Sequence, residues 1–533
     1  MKIPHIEERN GTKILVVDEK PFIMISGEVH NSNSSSVEYM EQVWEKAETL
    51  GMNSLLMPVT WEMVEPEEGR FDFSLVDGLI RQAERKGKKI GFLWFGAWKN
   101  AQCYYAPEWV KTDLERFRRT EVEKGKKFVN LKEFYGMSYT SLSYMCEATK
   151  EADAKAFREL MEHIREADGE THTVVMVQVE NETGVMGAAR EHSDEADAAF
   201  ESQVPQDFAE YMRNHTDTMK EDVREAVLKG AGSGSWSDVF TDAAEEIFSA
   251  YHIACYVNCV AEAGKAVYPL PMSVNCWLDK GEAPGKYPSG GPVARMMEVW
   301  KYCAPNIDIY APDIYIPSFI EVCNEYKKLG NPLFIPETAT HGYCGARQVY
   351  AIGHHHAMCY SPFGFEELGE PFSAQSMFLF GADTTDPALA TPQDVEQYAW
   401  YSNTLNEMMP LLGAKYGTGD LQAVCSEEAG EKQMLFEKFG FRIETESQVM
   451  QLKMGTALIL RESEDTFYLL VNGAAVVPFS TDARNPYLDI LKLEEGRFED
   501  GVWKMRRRLN GDEAAAMCYE KPALLKMKLF AYH

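Results

Sequence analysis

Val175-Met176-Val177-Gln178-Val179-Glu180-Asn181-Glu182-Thr183-Gly184 is an apolar run that ends abruptly in two carboxylates around an amide. Continuous apolar character marks a strand buried on both faces, as in parallel sheets. A polar cluster at its C-terminal end is where such a strand leaves the core and enters a site. The same pattern also fits a solvated strand end, because only geometry makes a carboxylate catalytic. What the stretch does depends on what the rest of the chain sets beside it.

On either side the chain alternates. Strand-like runs begin near Ile23, Ser54, Ile90, Thr173, Leu270, Ile307, Leu333 and Ala357. Helical spacing of apolar residues marks Ser36 to Leu50, Ser74 to Ala83, Ala152 to Ala167, Ala243 to Gly264, Pro292 to Cys303 and Ser318 to Leu329. Eight β-then-α units in about 350 residues predict parallel strands with right-handed crossovers, closed into a (β/α)8 TIM barrel, with an open doubly wound sheet as the alternative. Lys13 to Val17 and Phe22 to Glu28, parted by Asp18-Glu19-Lys20-Pro21, predict a hairpin leading into the first strand. Long insertions follow strands three and four. The second, Ala188 to Trp236, mixes acidic helix-like pieces with the glycine-rich Gly230 to Ser235 and predicts a mobile wall over the strand ends.

After Gly417-Thr418-Gly419-Asp420 the period changes to alternation, as in Thr466 to Val471 and Leu525 to Leu529. The reading is therefore a catalytic barrel over 1–417 and a smaller all-β, sandwich-like domain over 418–533. Packing on the barrel is the plain role for that domain, and sugar binding the alternative.

Composition narrows the partners. A chain of 533 residues with 45% hydrophobic content exceeds one core. Its 53 Lys plus Arg against 83 Asp plus Glu give a net charge of -30, which repels nucleic-acid phosphates and anionic membranes. A neutral substrate fits. No run reaches the roughly 18 apolar residues of a membrane span, and the N-terminus has no signal-peptide core. Eleven cysteines without a CxxC pair read as free thiols of a cytoplasmic protein with no metal site. No phosphate-binding glycine spacing is present, so no cofactor is expected. A homo-oligomer is compatible with all of this.

The predicted strand ends carry Glu28 and His30, then Trp61, Glu62 and Glu65, then Trp98, Lys99 and Asn100, then Glu180, Asn181 and Glu182, then Asn275 and Trp277, Asp313 and Tyr315, and Glu337. Acids and amides for hydroxyls, with aromatic faces for ring C–H surfaces and few cations, are the inventory of a neutral-sugar pocket. Glycoside hydrolysis needs one protonated and one ionised carboxyl, roughly 5 to 5.5 Å apart if configuration is retained. Strands four and seven face each other in an eight-stranded barrel, so Glu182 is the candidate acid/base and Glu337 the nucleophile, with Tyr315 hydrogen-bonded to Glu337. Substrate contacts are expected from Asn181 (at the 2-hydroxyl), Glu180, Glu28, His30, Trp61, Trp98, Asn100, Asn275, Trp277 and Tyr315. Trp61 and Trp98 also read as core aromatics, and Glu62 and Glu65 as structural carboxylates. His354-His355-His356 precedes strand eight and so falls toward the face opposite the site; adjacent helical histidines diverge and suit chelation poorly.

Val177-Gln178-Val179-Glu180-Asn181-Glu182 with Gly184 resembles the acid/base signature of glycoside hydrolase family 35, the β-galactosidases. The resemblance continues through Ser26-Gly27-Glu28-Val29-His30, Leu93 to Asn100, Tyr287 to Pro292, Ala311 to Tyr315, Asn331 to Glu337, Ser361 to Gly364 and Arg508 to Glu513, and is similar to the bacterial branch with a β-rich C-terminal module. It implies a retaining, exo-acting β-galactosidase in which Glu182, directly after the asparagine, donates the proton and Glu337 attacks. The chain departs from the eukaryotic pattern at Pro58, where a tyrosine is usual, and at Trp98-Lys99-Asn100, which replaces an acidic sugar-binding residue. Changes of this kind can redirect specificity to a β-glucoside, β-fucoside or arabinoside. The rival classes are a metal-dependent barrel hydrolase, which chelator would inactivate, and a sugar-binding protein without turnover.

Overall fold

The computed structural model describes residues 2–131, 137–372, 390–428, 430–446 and 454–533. Eight parallel strands carry the N-terminal part: β1 (Met24–Ile25), β2 (Ser54–Thr60), β3 (Lys89–Phe95), β4 (Val174–Val179), β5 (Met272–Trp277), β6 (Ile309–Asp313), β7 (Phe334–Ile335) and β8 (Cys359–Tyr360). They form a five-stranded sheet in the order β6-β5-β4-β3-β2 and a three-stranded sheet in the order β7-β8-β1. The ladders stop there, and the two sheets meet at both edges through single parallel bridges, Glu28 with Leu56 and Ile314 with Thr338. Backbone bonds follow the same seams: Leu56 N to Gly27 O at 3.0 Å and Ile314 N to Glu337 O at 2.9 Å.

Alternation along the strands separates two cores. Leu56 and Leu93 join Met24, Ile309, Phe334 and Cys359 in one cluster. Their neighbours Leu55, Met57, Phe92 and Trp94 face the helices, where α1 (Val37–Thr49), α2 (Ser74–Lys86) and α3 (Glu147–Asp168) supply Trp44, Leu79, Phe157 and Leu160. Ser36 caps α1 by accepting from Tyr39 N, and Gly87 ends α2 in the left-handed region, as helix termini require.

Ahead of β1 the chain forms one more strand than its periodicity predicts. His5–Arg9 pairs antiparallel with Thr12–Val17 across Asn10-Gly11, both at positive φ, and Thr12–Val17 then pairs with Lys20–Pro21 across Asp18-Glu19. Leu15 and Val17 enter the inner cluster and close its N-terminal end. The insertion after β4 holds helices Asp194–Glu201, Gln206–Asn214, Glu221–Lys229 and Trp236–Phe240. Trp236 is buried against Phe208, Phe248 and Tyr251, and a Ser235–Asp238 capping box fixes the turn into its helix. The wall is thus anchored by an aromatic plug immediately after its glycine-rich run.

The C-terminal strands are antiparallel and lie in two sheets. One has six strands, beginning with Leu421–Cys425 at one edge; the other has four. Phe441, Phe467, Leu469, Leu525 and Met527 fill the space between them. The outer face of the larger sheet, with Leu458, Leu460 and Leu470, packs on Val349 and Ile352 of the helix Cys344–His355 and on Tyr401 and Leu405. His354 and His356 sit at this junction, His354 Nδ1 against Ala423 O at 3.2 Å and His356 Nδ1 accepting from Gly417 N at 3.1 Å. No helix among the described residues is long and apolar enough to cross a membrane.

Candidate active site

At the end of β4 the backbone leaves extended geometry. Glu180 (φ +62°) and Glu182 (φ +44°) both occupy the left-handed region, which costs a non-glycine residue about 1–3 kcal/mol. Surrounding bonds hold them there. Glu182 N donates to Asn275 Oδ1 at 3.0 Å, and Glu182 O accepts from Ala101 N at 3.1 Å. Ala101 belongs to a tight turn in which Lys99 N and Gln102 O lie 2.7 Å apart and Asn100 and Ala101 both take positive φ, the geometry of a two-residue hairpin turn. That turn presents Lys99 to the strand ends.

Asn275, on β5, links the Glu182 backbone to the Glu337 carboxyl. While its Oδ1 holds Glu182, its Nδ2 donates to Asp313 Oδ2 at 2.8 Å and faces Glu337 Oε1 at 3.4 Å. Tyr315 donates its hydroxyl to Glu337 Oε2 at 2.6 Å. Lys99 Nζ lies 4.0 Å from Glu337 Oε1 and over the Phe95 ring. Glu182 and Glu337 both line a cavity of about 200 Å³, together with Asn31, Lys99, Asn100, Gln102, Tyr104, Tyr139, Trp277, Leu278, Lys280, Asp313, Tyr315 and Phe363. The volume is below the roughly 300–1,000 Å³ of pockets for drug-sized ligands, and suits one small ring. A larger cavity, of about 730 Å³, lies alongside and shares Leu278 and Lys280, but charged pairs such as Arg295–Asp222 line it rather than catalytic groups.

Four carboxyls and one buried ammonium share this site. Burial, and then the charge of Glu337, raise Glu182 to about 7, with Lys99 opposing. Glu28 and Asp313 are pushed well above the usual carboxylate range, again by burial first and Glu337 second. Burial alone would depress Lys99, but Glu337, Glu182, Glu28 and Asp313 together raise it. Burial and the nearby Glu182 push the Tyr139 hydroxyl up to about 12. The arrangement sets Glu182, a carboxyl that burial and Glu337 make easier to protonate, in one cavity with Glu337, which Tyr315 hydrogen-bonds and Lys99 faces. That is the division of labour acid/base-plus-nucleophile chemistry needs.

The predicted residues divide by position. Glu182, Glu337, Asn100, Trp277 and Tyr315 line the cavity. Asn181 is fully buried beside it, with both amide atoms lacking a partner among the described residues, and Glu28 is likewise fully buried. Asn275 directs its amide to protein groups. Glu180 points behind the cavity and accepts from Ala97 N at 3.2 Å and Trp98 N at 2.8 Å. Trp61 bonds Glu65 at 2.9 Å and meets Trp109 edge-on, and Trp98 meets Tyr256 edge-on, both in the core. His30 lies edge-on to Phe363 and 3.3 Å from Glu367, outside the lining. Sequence reasoning missed Tyr139, Gln102, Lys280, Tyr104 and Asn31. Tyr139 ends a short hairpin, Val129–Leu131 with Met137–Tyr139, inside the insertion after β3, and no spacing rule points to it.

Comparison with known proteins adds three findings. Residues 14–89 match the model of glycosyl hydrolases family 35, and residues 401–517 match a domain of unknown function, DUF5597. A β-galactosidase of Xanthomonas manihotis is 32% identical over 83 residues, which are 15% of this chain and 14% of that protein, so the chain spans about one seventh of the curated relative it matches. Among solved structures, the β-galactosidase of Bacillus circulans sp. alkalophilus aligns over 95% of this chain and 99% of its own at 11% identity and TM-score 0.45. That of the psychrophilic Marinomonas ef1 aligns over 74% and 61% at 11% identity and TM-score 0.46.

Proposed function

We propose, from the match of residues 14–89 to glycosyl hydrolases family 35, that the chain is a retaining exo-glycosidase releasing terminal β-D-galactose by double displacement. The observation that carries this reading is Asn275 bridging Glu182 and Glu337 beside one ring-sized cavity, with the two carboxyls in opposite environments. The eight parallel strands, bridged at both sheet edges, support a (β/α)8 barrel over 1–417, with 418–533 as a sandwich domain.

In the first step Glu337 attacks the anomeric carbon while Glu182 passes its proton to the departing glycosidic oxygen. The C–O bond to the aglycone breaks as the bond to Glu337 Oε forms. Water, deprotonated by the Glu182 carboxylate, then displaces Glu337 and restores both residues. The buried amide of Asn181, without a partner among the described residues, suits sugar hydroxyls, because a buried polar atom without a partner is costly until a ligand supplies one. The neutral pairing of Lys99 with Glu337 suits an uncharged sugar, and eleven free thiols suit a reducing cytoplasm.

A second reading keeps the mechanism and changes the sugar, because the Trp98-Lys99-Asn100 segment replaces an acidic sugar-binding residue of the eukaryotic pattern, by the resemblance above. A panel of aryl β-glycosides assayed with the native enzyme, Glu182→Gln and Glu337→Gln tests both. The native enzyme should cleave the β-galactoside best and both variants should lose turnover. Near-native turnover by either variant contradicts the mechanism, and preference for another glycoside transfers the reading to that sugar.

A further inference from the structure

We propose that Asp153, on α3 and remote from the cavity, is the positioning residue for the acid/base Glu182, acting through Glu180 to clamp the end of β4 to the segment after β3. The inference rests on the glycosidase reading above.

Glu180 lies two residues before Glu182 and shares its left-handed backbone, so whatever fixes Glu180 fixes the direction in which Glu182 emerges. Its carboxyl binds Ala97 N and Trp98 N, the backbone that leads into the Lys99–Gln102 turn. Asp153 meets Glu180 from the opposite side. Trp94 Nε1 donates to Asp153 Oδ1 at 2.9 Å and Tyr256 donates to its Oδ2 at 2.9 Å, so the carboxylate is satisfied and immobile. Asp153 and Glu180 are both fully buried. Both carboxyls face Gly96: a Cβ there would lie 2.6 Å from Asp153 Oδ1 and 2.6 Å from Glu180 Oε1, so the two oxygens flank one spot that only glycine leaves open. Burial first, and then the charge of Asp153 and a side-chain hydrogen bond with it, raise Glu180. The clamp therefore joins α3, β3, β4 and Tyr256 through one buried pair, and none of its atoms reaches the cavity.

The test separates positioning from general stability by leaving-group dependence. A displaced general acid matters for an alkoxide leaving group and little for an acidic phenol. Asp153→Leu should lower kcat/KM for the methyl β-glycoside of the preferred sugar by on the order of a hundredfold, and for the 2,4-dinitrophenyl glycoside by less than about fivefold. Azide, an external nucleophile needing no base, should raise kcat of the variant on the dinitrophenyl substrate. Asp153→Asn keeps the acceptor for Trp94 and Glu180 and should recover most of the loss. Equal losses on both substrates, or no azide effect, overturn the proposal. If Asp153→Leu fails to fold, Tyr256→Phe, which removes only the Oδ2 partner, should show the same split at smaller size, and equal losses there overturn it as well. A native enzyme inactive on every β-glycoside would instead refute the glycosidase reading itself.

Discussion

Replacing Glu182 with glutamine should stabilise the protein at alkaline pH and leave its stability nearly unchanged in mild acid. In the folded protein the Glu182 carboxyl is raised from its usual 4.5 to about 7, by burial and by Glu337. Below the unfolded value the group is protonated in both states, and nothing is lost. As pH rises toward the folded value, the unfolded chain ionises freely while the folded one resists, so stability falls; above about 7 the loss is complete. A rise from 4.5 to about 7, at about 1.4 kcal/mol per pH unit, amounts to about 3 kcal/mol. Glutamine has the same shape and no charge to desolvate, so it removes the loss. Calorimetric scans of native protein and variant should differ by a few degrees in Tm at pH 8.5 and by little at pH 5. The same Tm difference at both values, or a lower Tm for the variant at pH 8.5, would refute the electrostatic account of the site.

Other expectations follow from the same cluster. For the native enzyme, kcat/KM on alkyl glycosides such as the methyl β-glycoside should decline as pH rises through about 7, because Glu182 must enter the first step protonated to help an alkoxide leave; a profile flat to pH 9 would speak against it. Tyr315→Phe removes the 2.6 Å hydrogen bond to Glu337 and should cost roughly one to two orders of magnitude in kcat/KM, and an unchanged value would mean the bond is not used in the transition state. Lys99→Met leaves the buried Glu337 without its cation, a loss of roughly 3–5 kcal/mol for a buried pair. Stability and turnover should therefore fall together, and a variant native in both would deny Lys99 its role.

The β/α alternation was legible because the helices present apolar residues at helical spacing and the long strands are mostly apolar. The short strands β1, β7 and β8, two residues each, are anchored more by their neighbours than by their own pattern. The strand ahead of the first hairpin was missed, although Asn10-Gly11 is a strong hairpin signal, because His5–Arg9 is half-exposed and mixed in character. The division of labour between Glu180 and Glu182 lay beyond any periodicity rule. Two residues apart in a strand, they would share a face. Left-handed φ at both breaks that alternation and turns Glu180 to the Asp153 clamp and Glu182 to the cavity. Trp61 and Trp98 show the reverse limit: both follow strand ends, yet their indoles are spent on core contacts that only the packed structure reveals.

The central claim is that Glu337 forms a covalent bond to the sugar. Incubation with a 2-deoxy-2-fluoro-β-galactosyl donor bearing a dinitrophenyl leaving group slows both steps and lets the intermediate accumulate. Digestion and mass spectrometry should then find one sugar per chain, on the peptide containing Glu337. Label on Glu28, Glu182 or Asp313, or an enzyme that turns over β-galactosides yet is never labelled, would contradict the account.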